Sequence, residues 1–198
     1  MLNARELKVF YGVIQGLKGV DIDVYDREIV TLIGSNGAGK TSTLNGIVNL
    51  VRSSGRVSFL NDDISRSQTH QIVRRGLALV PEERRKEGIF IEVPIAMNLA
   101  VSSDNGFSRW GLVGHRQAWR WAEVVIAGLG VRATGPGQTL RRLSGGNQQK
   151  VAIGKWLRGD ANVLIFDEPT KGVDVKAKTD LFMLIDGLAR EGKGVIYA

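Results

Sequence analysis

Residues 34–41 read Gly-Ser-Asn-Gly-Ala-Gly-Lys-Thr and match the pattern G-x-x-x-x-G-K-[ST] at every constrained position. Such a stretch suits phosphate. Glycines let successive backbone N–H groups curl around phosphate oxygens, and a helix opening behind the loop adds the positive end of its dipole. Gly34, Ser35, Asn36, Gly37, Ala38 and Gly39 would line the cradle, with Ser42 just inside the helix. Lys40 can reach the β- and γ-phosphates of a nucleotide, and the Thr41 hydroxyl can ligate Mg²⁺. The flanks agree with this reading. Residues 28–34 form a continuous apolar run ending in glycine, as in a strand buried on both faces, and Leu44, Ile47, Val48 and Val51 recur at helical spacing.

Four apolar residues, 163–166, run straight into Asp167 and Glu168. A buried strand would deliver these acids to the carboxyl edge of a parallel sheet, where such sheets bind ligands. Asp167 would hold Mg²⁺ through water, and Glu168 would orient or deprotonate an attacking water. Acids at strand ends often only cap the next helix, so the pair gains its meaning from the phosphate loop.

A third element is Leu143-Ser144-Gly145-Gly146-Asn147-Gln148-Gln149. A serine and two glycines at a helix start present free N–H groups and a hydroxyl, which makes a second anion site. One nucleotide needs only one phosphate loop. If two copies pair head to tail, Ser144 and Gly146 of one could close over the γ-phosphate held by Lys40 of the other, and the nucleotide would hold the dimer together.

These residues need a scaffold, and 198 residues at 43% hydrophobic and 24% charged suit one globular domain with an embedded subdomain. The absence of cysteine rules out a disulfide framework and any thiolate metal site, and a reducing cytosol fits it. The opening residues lack the apolar core of a signal peptide, and no apolar run approaches the roughly 20 residues of a membrane span. Residues 105–158 hold nine of the basic side chains and one acid, Glu123, so this window alone exceeds the net charge of +7. It reads as an ordinary solvated face or as a surface for an anionic partner, nucleic acid or membrane. Trp110, Trp119, Trp121 and Trp156 fall in it and are read as helix packing rather than base stacking.

Residues 6–10 and 20–24 alternate as two antiparallel strands. Short strands at 57–60 and 77–80 bracket a helix at 69–75, and the pattern turns helical over 94–130. A helix at 147–157, the strand at 163–166, a helix at 175–190 and a last strand at 194–198 follow. Strands alternating with helices predict a parallel sheet covered by helices, and the helical stretch an insertion into it.

The combination of GSNGAGKT, LSGGNQQ and VLIFDEPT resembles the nucleotide-binding domain of ABC transporters over essentially the whole chain. That resemblance implies an α/β P-loop NTPase core with a parallel sheet, N-terminal antiparallel strands and an inserted α-helical subdomain. Residues 1–88 and 150–198 would form the nucleotide-binding core and 89–149 the helical subdomain with the signature motif. It implies ATP and Mg²⁺ as cofactors, Lys40 and Glu168 as catalytic groups, and Thr41, Asp167 and Glu82 around the metal. Tyr11, 23 residues before Gly34, occupies the place of the aromatic that stacks on adenine. Glu82 stands where most of the family has a glutamine, and Asp174 lies in the loop that couples the two sites of a dimer; Ser144, Gly145 and Gly146 belong to the signature.

The subfamily signals divide. The first part, including 10–15, 28–34 and 76–82, is similar to ATPases of branched-chain amino-acid importers, whereas 83–88, 143–152 and 167–175 resemble the second ATPase domain of monosaccharide importers. A recombinant of the two, natural or assembled, would look like this. The expected partners are permease transmembrane subunits, a second nucleotide-binding domain packed head to tail and, indirectly, a periplasmic or extracellular solute-binding protein. The expected place is the cytoplasmic face of the inner membrane, peripherally held, with sugar the leading solute. The family's switch histidine follows the last strand, and His70 and His115 both lie far upstream of it, which implies a core truncated at its C-terminus. Three alternatives are a branched-chain amino-acid importer ATPase, a truncated binding module without turnover and an ABC-type ATPase acting on nucleic acid; with neither tandem domains nor a long coiled coil visible, no nucleic acid is expected.

Overall fold

The computed structural model describes residues 1–102, 108–109, 112–158 and 161–198. The chain begins with β1 (Leu2–Tyr11), β2 (Ile14–Val24), β3 (Ile29–Thr31), α1 (Lys40–Ile47), β4 (Arg52–Phe59), β5 (Asp62–Asp63), α2 (Thr69–Arg74) and β6 (Leu77–Val80). A π-helical turn at Arg84–Gly88 leads to α3 (Ile95–Ala100), β7 (Ser108–Arg109), β8 (Leu112–Val113) and α4 (His115–Gly128). Then come α5 (Gly145–Gly154), β9 (Val163–Phe166), α6 (Val175–Arg190) and β10 (Gly194–Tyr197). Two compact units result: 1–79, 161–168 and 185–198 make the first, and 80–160 with 169–184 the second.

In the first unit β1 pairs antiparallel with β2 and β4, in the order β2-β1-β4-β5. Leu2, Ala4, Leu7 and Val9 of β1 are all buried although they switch from even to odd positions. A register shift between Ala4 and Leu7, where Glu6 takes φ 49, absorbs the odd residue and keeps the apolar set on one face. Val57 and Phe59 of β4 join them, and α1 contributes the fully buried Leu44 and Ile47, each worth on the order of 2–3 kcal/mol.

The second sheet runs β3-β10-β9-β6, with β10 parallel to both β3 and β9. All four residues of β9 are buried, as its unbroken apolar run predicts. The same expectation fails for β3. Ile29 in β3 is 40% and Ile33, just beyond it, 92% exposed, whereas Val30 and Leu32 between them pack against the core, so only one face of this run is covered. An apolar run reports affinity for strand structure; what packs over each face decides coverage.

The second unit is mainly helical. Ala118, Ala122 and Val125 bury one face of α4, while the loop before α3 is pinned by buried Asn98, which accepts the Phe90 N–H at 2.8 Å and donates to the carbonyls of Phe90, Val93 and Pro94. The helical pattern over 94–130 is interrupted: α3 stops at Ala100, and β7 and β8 pair as an antiparallel hairpin before α4. Helix α5 starts two residues earlier than its periodicity suggests, because Ser144 caps it and Gly145 and Gly146 form its first turn. Trp121 packs on Ala100 and Ala118, as expected of a packing residue, while Trp119 stays 38% exposed. Trp110 lies outside the described residues.

Candidate functional site

The loop from Gly34 to Gly39 closes on itself through a bond from the Ala38 N–H to the Ser35 carbonyl at 3.1 Å. Gly39 turns it into α1 at φ 92, the left-handed region, and a Cβ there would meet Leu17 at 3.3 Å, so both backbone and packing demand glycine. The first turn of α1 contains no acidic side chain, which leaves its positive end uncompensated. Lys40 folds back over the loop, its Nζ donating to the carbonyls of Gly34 at 3.0 Å and Ser35 at 3.3 Å. A cation, a helix start and a glycine-rich bend therefore converge on one small surface.

The parallel sheet brings the second element to the same place. Strand β9 ends at Phe166, and Asp167, 3% exposed, accepts the Thr41 hydroxyl at Oδ1 over 3.1 Å. Glu168 follows at φ 39, an unusual backbone for a non-glycine residue, with its N–H held by the Ala198 carbonyl at 3.0 Å. Tyr11 is 45% exposed and donates its hydroxyl to Ser42 Oγ at 3.1 Å. Its ring stands over Gly16, where a Cβ would come within 3.0 Å of a ring carbon, so that glycine keeps the flat aromatic wall in place.

The first unit thus gathers Tyr11, the loop 34–39, Lys40, Thr41, Ser42, Asp167 and Glu168. Glu82, Ser144, Gly145, Gly146 and Asp174 belong to the second unit. There Glu82 pairs with Lys171, a partner that its position in the sequence does not announce. Ser144 Oγ accepts from the Asn147 side-chain amide at 2.8 Å, and Asp174 caps α6 by accepting the Ala177 N–H at 3.0 Å. Ser144, Gly146, Asn147, Lys150 and Asp174 share a groove of about 830 Å³.

Sequence reasoning passed over the π-helical turn. Arg84 donates to the Lys171 carbonyl at 2.9 Å, and Arg85 reaches the buried Gln148 at 3.1 Å. Burial, helped by neighbouring Arg85, holds the Arg84 pKa below the usual arginine value. Lys155 was visible only as one more basic residue; burial pushes its pKa down to about 8, and its Nζ donates to the Gly88 carbonyl at 2.6 Å. The one sign of these roles in the sequence is the dense charge of 83–88.

The fold and the phosphate-type loop define the class of ATP-binding cassettes. A solved dimeric cassette, MJ0796 in a post-hydrolysis state bound to ADP and Pi, superposes with a TM-score of 0.83 at 21% identity, over 100% of this chain and 87% of that one. The ABC transporter family model matches residues 17–171, and the chain belongs to that family. It is 37% identical over 181 residues to the galactose/methyl galactoside import ATP-binding protein MglA of Treponema pallidum, covering 91% of this chain and 36% of that protein. The arabinose import ATP-binding protein AraG of Chromohalobacter salexigens is 35% identical over 191 residues, covering 92% of this chain and 38% of that protein. The chain therefore spans little more than a third of these relatives' length. Both named relatives concern sugar import, and the branched-chain likeness of the N-terminal part stays an expectation.

Proposed function

We propose that this chain binds and hydrolyses ATP to energise an ABC importer, with a sugar as the solute. The observation that carries the reading is the Thr41–Asp167 contact, which joins the phosphate-type loop to the carboxyl end of β9. A hydroxyl and a carboxylate oxygen at 3.1 Å are hard donors, the set that Mg²⁺ takes alongside phosphate oxygens and water. Among the described residues no cluster of three His, Cys, Asp or Glu side chains competes for a metal. Bound there, Mg²⁺ would neutralise developing charge on the nucleotide phosphates.

The chain's own groups do the rest. Tyr11 stacks the adenine, the amides of 34–39 and the start of α1 hold the phosphates, and Lys40 offsets charge at the β/γ bridge. Glu168 aligns a water in line with the γ-phosphorus and accepts its proton. A second nucleotide-binding domain, packed head to tail, would present Ser144, Gly145 and Gly146 to the same phosphate, with Glu82 and Asp174 relaying occupancy. Sugar import is supported by the names of the relatives. No helix among the described residues is long and apolar enough to cross a membrane. Permease transmembrane subunits would supply the solute path, and the basic window suits a peripheral place at the cytoplasmic surface.

The test is ATP turnover by the complete protein that contains this chain, with Glu168→Gln as the variant. Retained nucleotide binding with turnover lowered a hundredfold or more, about 2.7 kcal/mol of barrier, supports the reading. An active Glu168→Gln protein overturns it.

A further inference from the structure

Three segments of the second unit meet at the π-helical turn Arg84–Gly88. Arg84 Nη1 donates to the Lys171 carbonyl at 2.9 Å, while its Nη2 lies so close to Gly145 that a Cβ there would sit 2.8 Å away. The Gly172 carbonyl crowds the same Cα, again 2.8 Å from a Cβ. One residue on, a Cβ on Gly146 would come within 2.5 Å of Ala177, so the first turn of α5 packs directly on the first turn of α6. Arg85 adds a bond to Gln148 of α5 at 3.1 Å, and Gln148 in turn donates to the carbonyls of Leu140 and Leu143. Lys155, at the other end of α5, closes the turn through the Gly88 carbonyl.

Arg84 is costly where it stands. Its neighbours Glu83 and Glu82 are taken by Lys86 and Lys171, and its Nε is buried with no partner among the described residues. It also lies at the positive end of α5, whose first turn holds no acid to offset it. A half-buried guanidinium without a carboxylate contributes little to stability, so its worth must lie in what it holds. A planar guanidinium can donate from one nitrogen to the Lys171 carbonyl while its other end packs against Gly145, although it offers the N–H groups of the helix start no acceptor; a lysine ammonium could keep the bond but not that packing surface.

We infer that Arg84 is a positioning residue that ties the 171–172 backbone to the Ser144–Gly146 turn, so that these glycines and Asp174 move as one body during ATP hydrolysis. The inference rests on the proposed ATPase activity. It assigns no contact with nucleotide to Arg84; the effect passes through the segments that Arg84 clamps.

The experiment compares Arg84→Ala and Arg84→Lys with wild type in the complete protein. It measures kcat and KM for ATP, the affinity for a fluorescent ATP analogue, and backbone hydrogen exchange over 171–174. Support is a fall in kcat of about tenfold or more in Arg84→Ala, the scale of misplaced catalytic groups. Analogue affinity should hold within about twofold, exchange at 171–174 should quicken, and Arg84→Lys should recover part of kcat. A hydrolysing wild type whose kcat and exchange are unchanged in Arg84→Ala overturns this inference alone. So does a variant in which kcat, affinity and melting temperature all fall together and lysine recovers nothing, which is the signature of a merely structural residue. A wild type that neither binds nor hydrolyses ATP overturns the functional reading and this inference with it.

Discussion

Thr41 Oγ1 donates to Asp167 Oδ1 over 3.1 Å although 126 residues separate them in the chain. The bond exists because α1 and β9 share the first unit, with α1 packed beside the antiparallel sheet and β9 in the parallel one. Asp167→Asn keeps the shape and removes the charge. Turnover by the complete protein should fall by at least about a hundredfold, with far-UV circular dichroism unchanged, and raised Mg²⁺ should not restore it. Turnover within threefold of wild type would contradict the metal role given to Asp167.

The tyrosine wall separates two contributions. Removing the ring in Tyr11→Ala should weaken ATP by about tenfold, in line with roughly 1–3 kcal/mol for stacking on an aromatic side chain. Tyr11→Phe keeps the stacking face and loses only the exposed bond to Ser42. Its affinity should stay within about twofold of wild type, which isothermal titration can measure.

Gly146 offers a purely steric test. Gly146→Val would drive a side chain into Ala177, since even the Cβ sits 2.5 Å from that methyl group. Overpacking of this kind costs about 1–3 kcal/mol, so the urea midpoint should drop while nucleotide binding to the first unit persists. Equal stability would show that α5 and α6 can separate at no cost.

Lys155 makes stability depend on pH. Its folded pKa of about 8 lies below the 10.5 of the free side chain, so the unfolded chain binds more protons between those values. The cost of burying the charge is therefore fully present below pH 8, and stability rises from pH 8 to about 10.5, by at most about 3 kcal/mol. Lys155→Met should flatten that rise in denaturant titrations at stepped pH. It also removes the bond to the Gly88 carbonyl, so part of the relief at neutral pH is offset.

The elements that carry chemistry were legible because their constraints are local. A glycine-rich bend needs glycine at Gly39 whatever lies elsewhere, and an unbroken apolar strand such as β9 announces both its burial and the acids at its end. Helix starts show in the same way, through Ser144 and its following glycines. The run 28–34 does not announce that only one of its faces is covered, because what packs over a strand comes from distant segments, which no run of residue types encodes.

From the amino acids in order came the class of chemistry: a phosphate cradle, a lysine, a hydroxyl and two carboxylates, together with the excess of cations in 105–158. Only the folded chain decided who meets whom. The Thr41–Asp167 bond, the pairing of Glu82 with Lys171 and the grip of Arg84 on residue 171 all join segments more than 80 residues apart. Composition, periodicity and spacing act over a few turns of chain, whereas each of these contacts arises when packing within its own unit brings distant segments side by side.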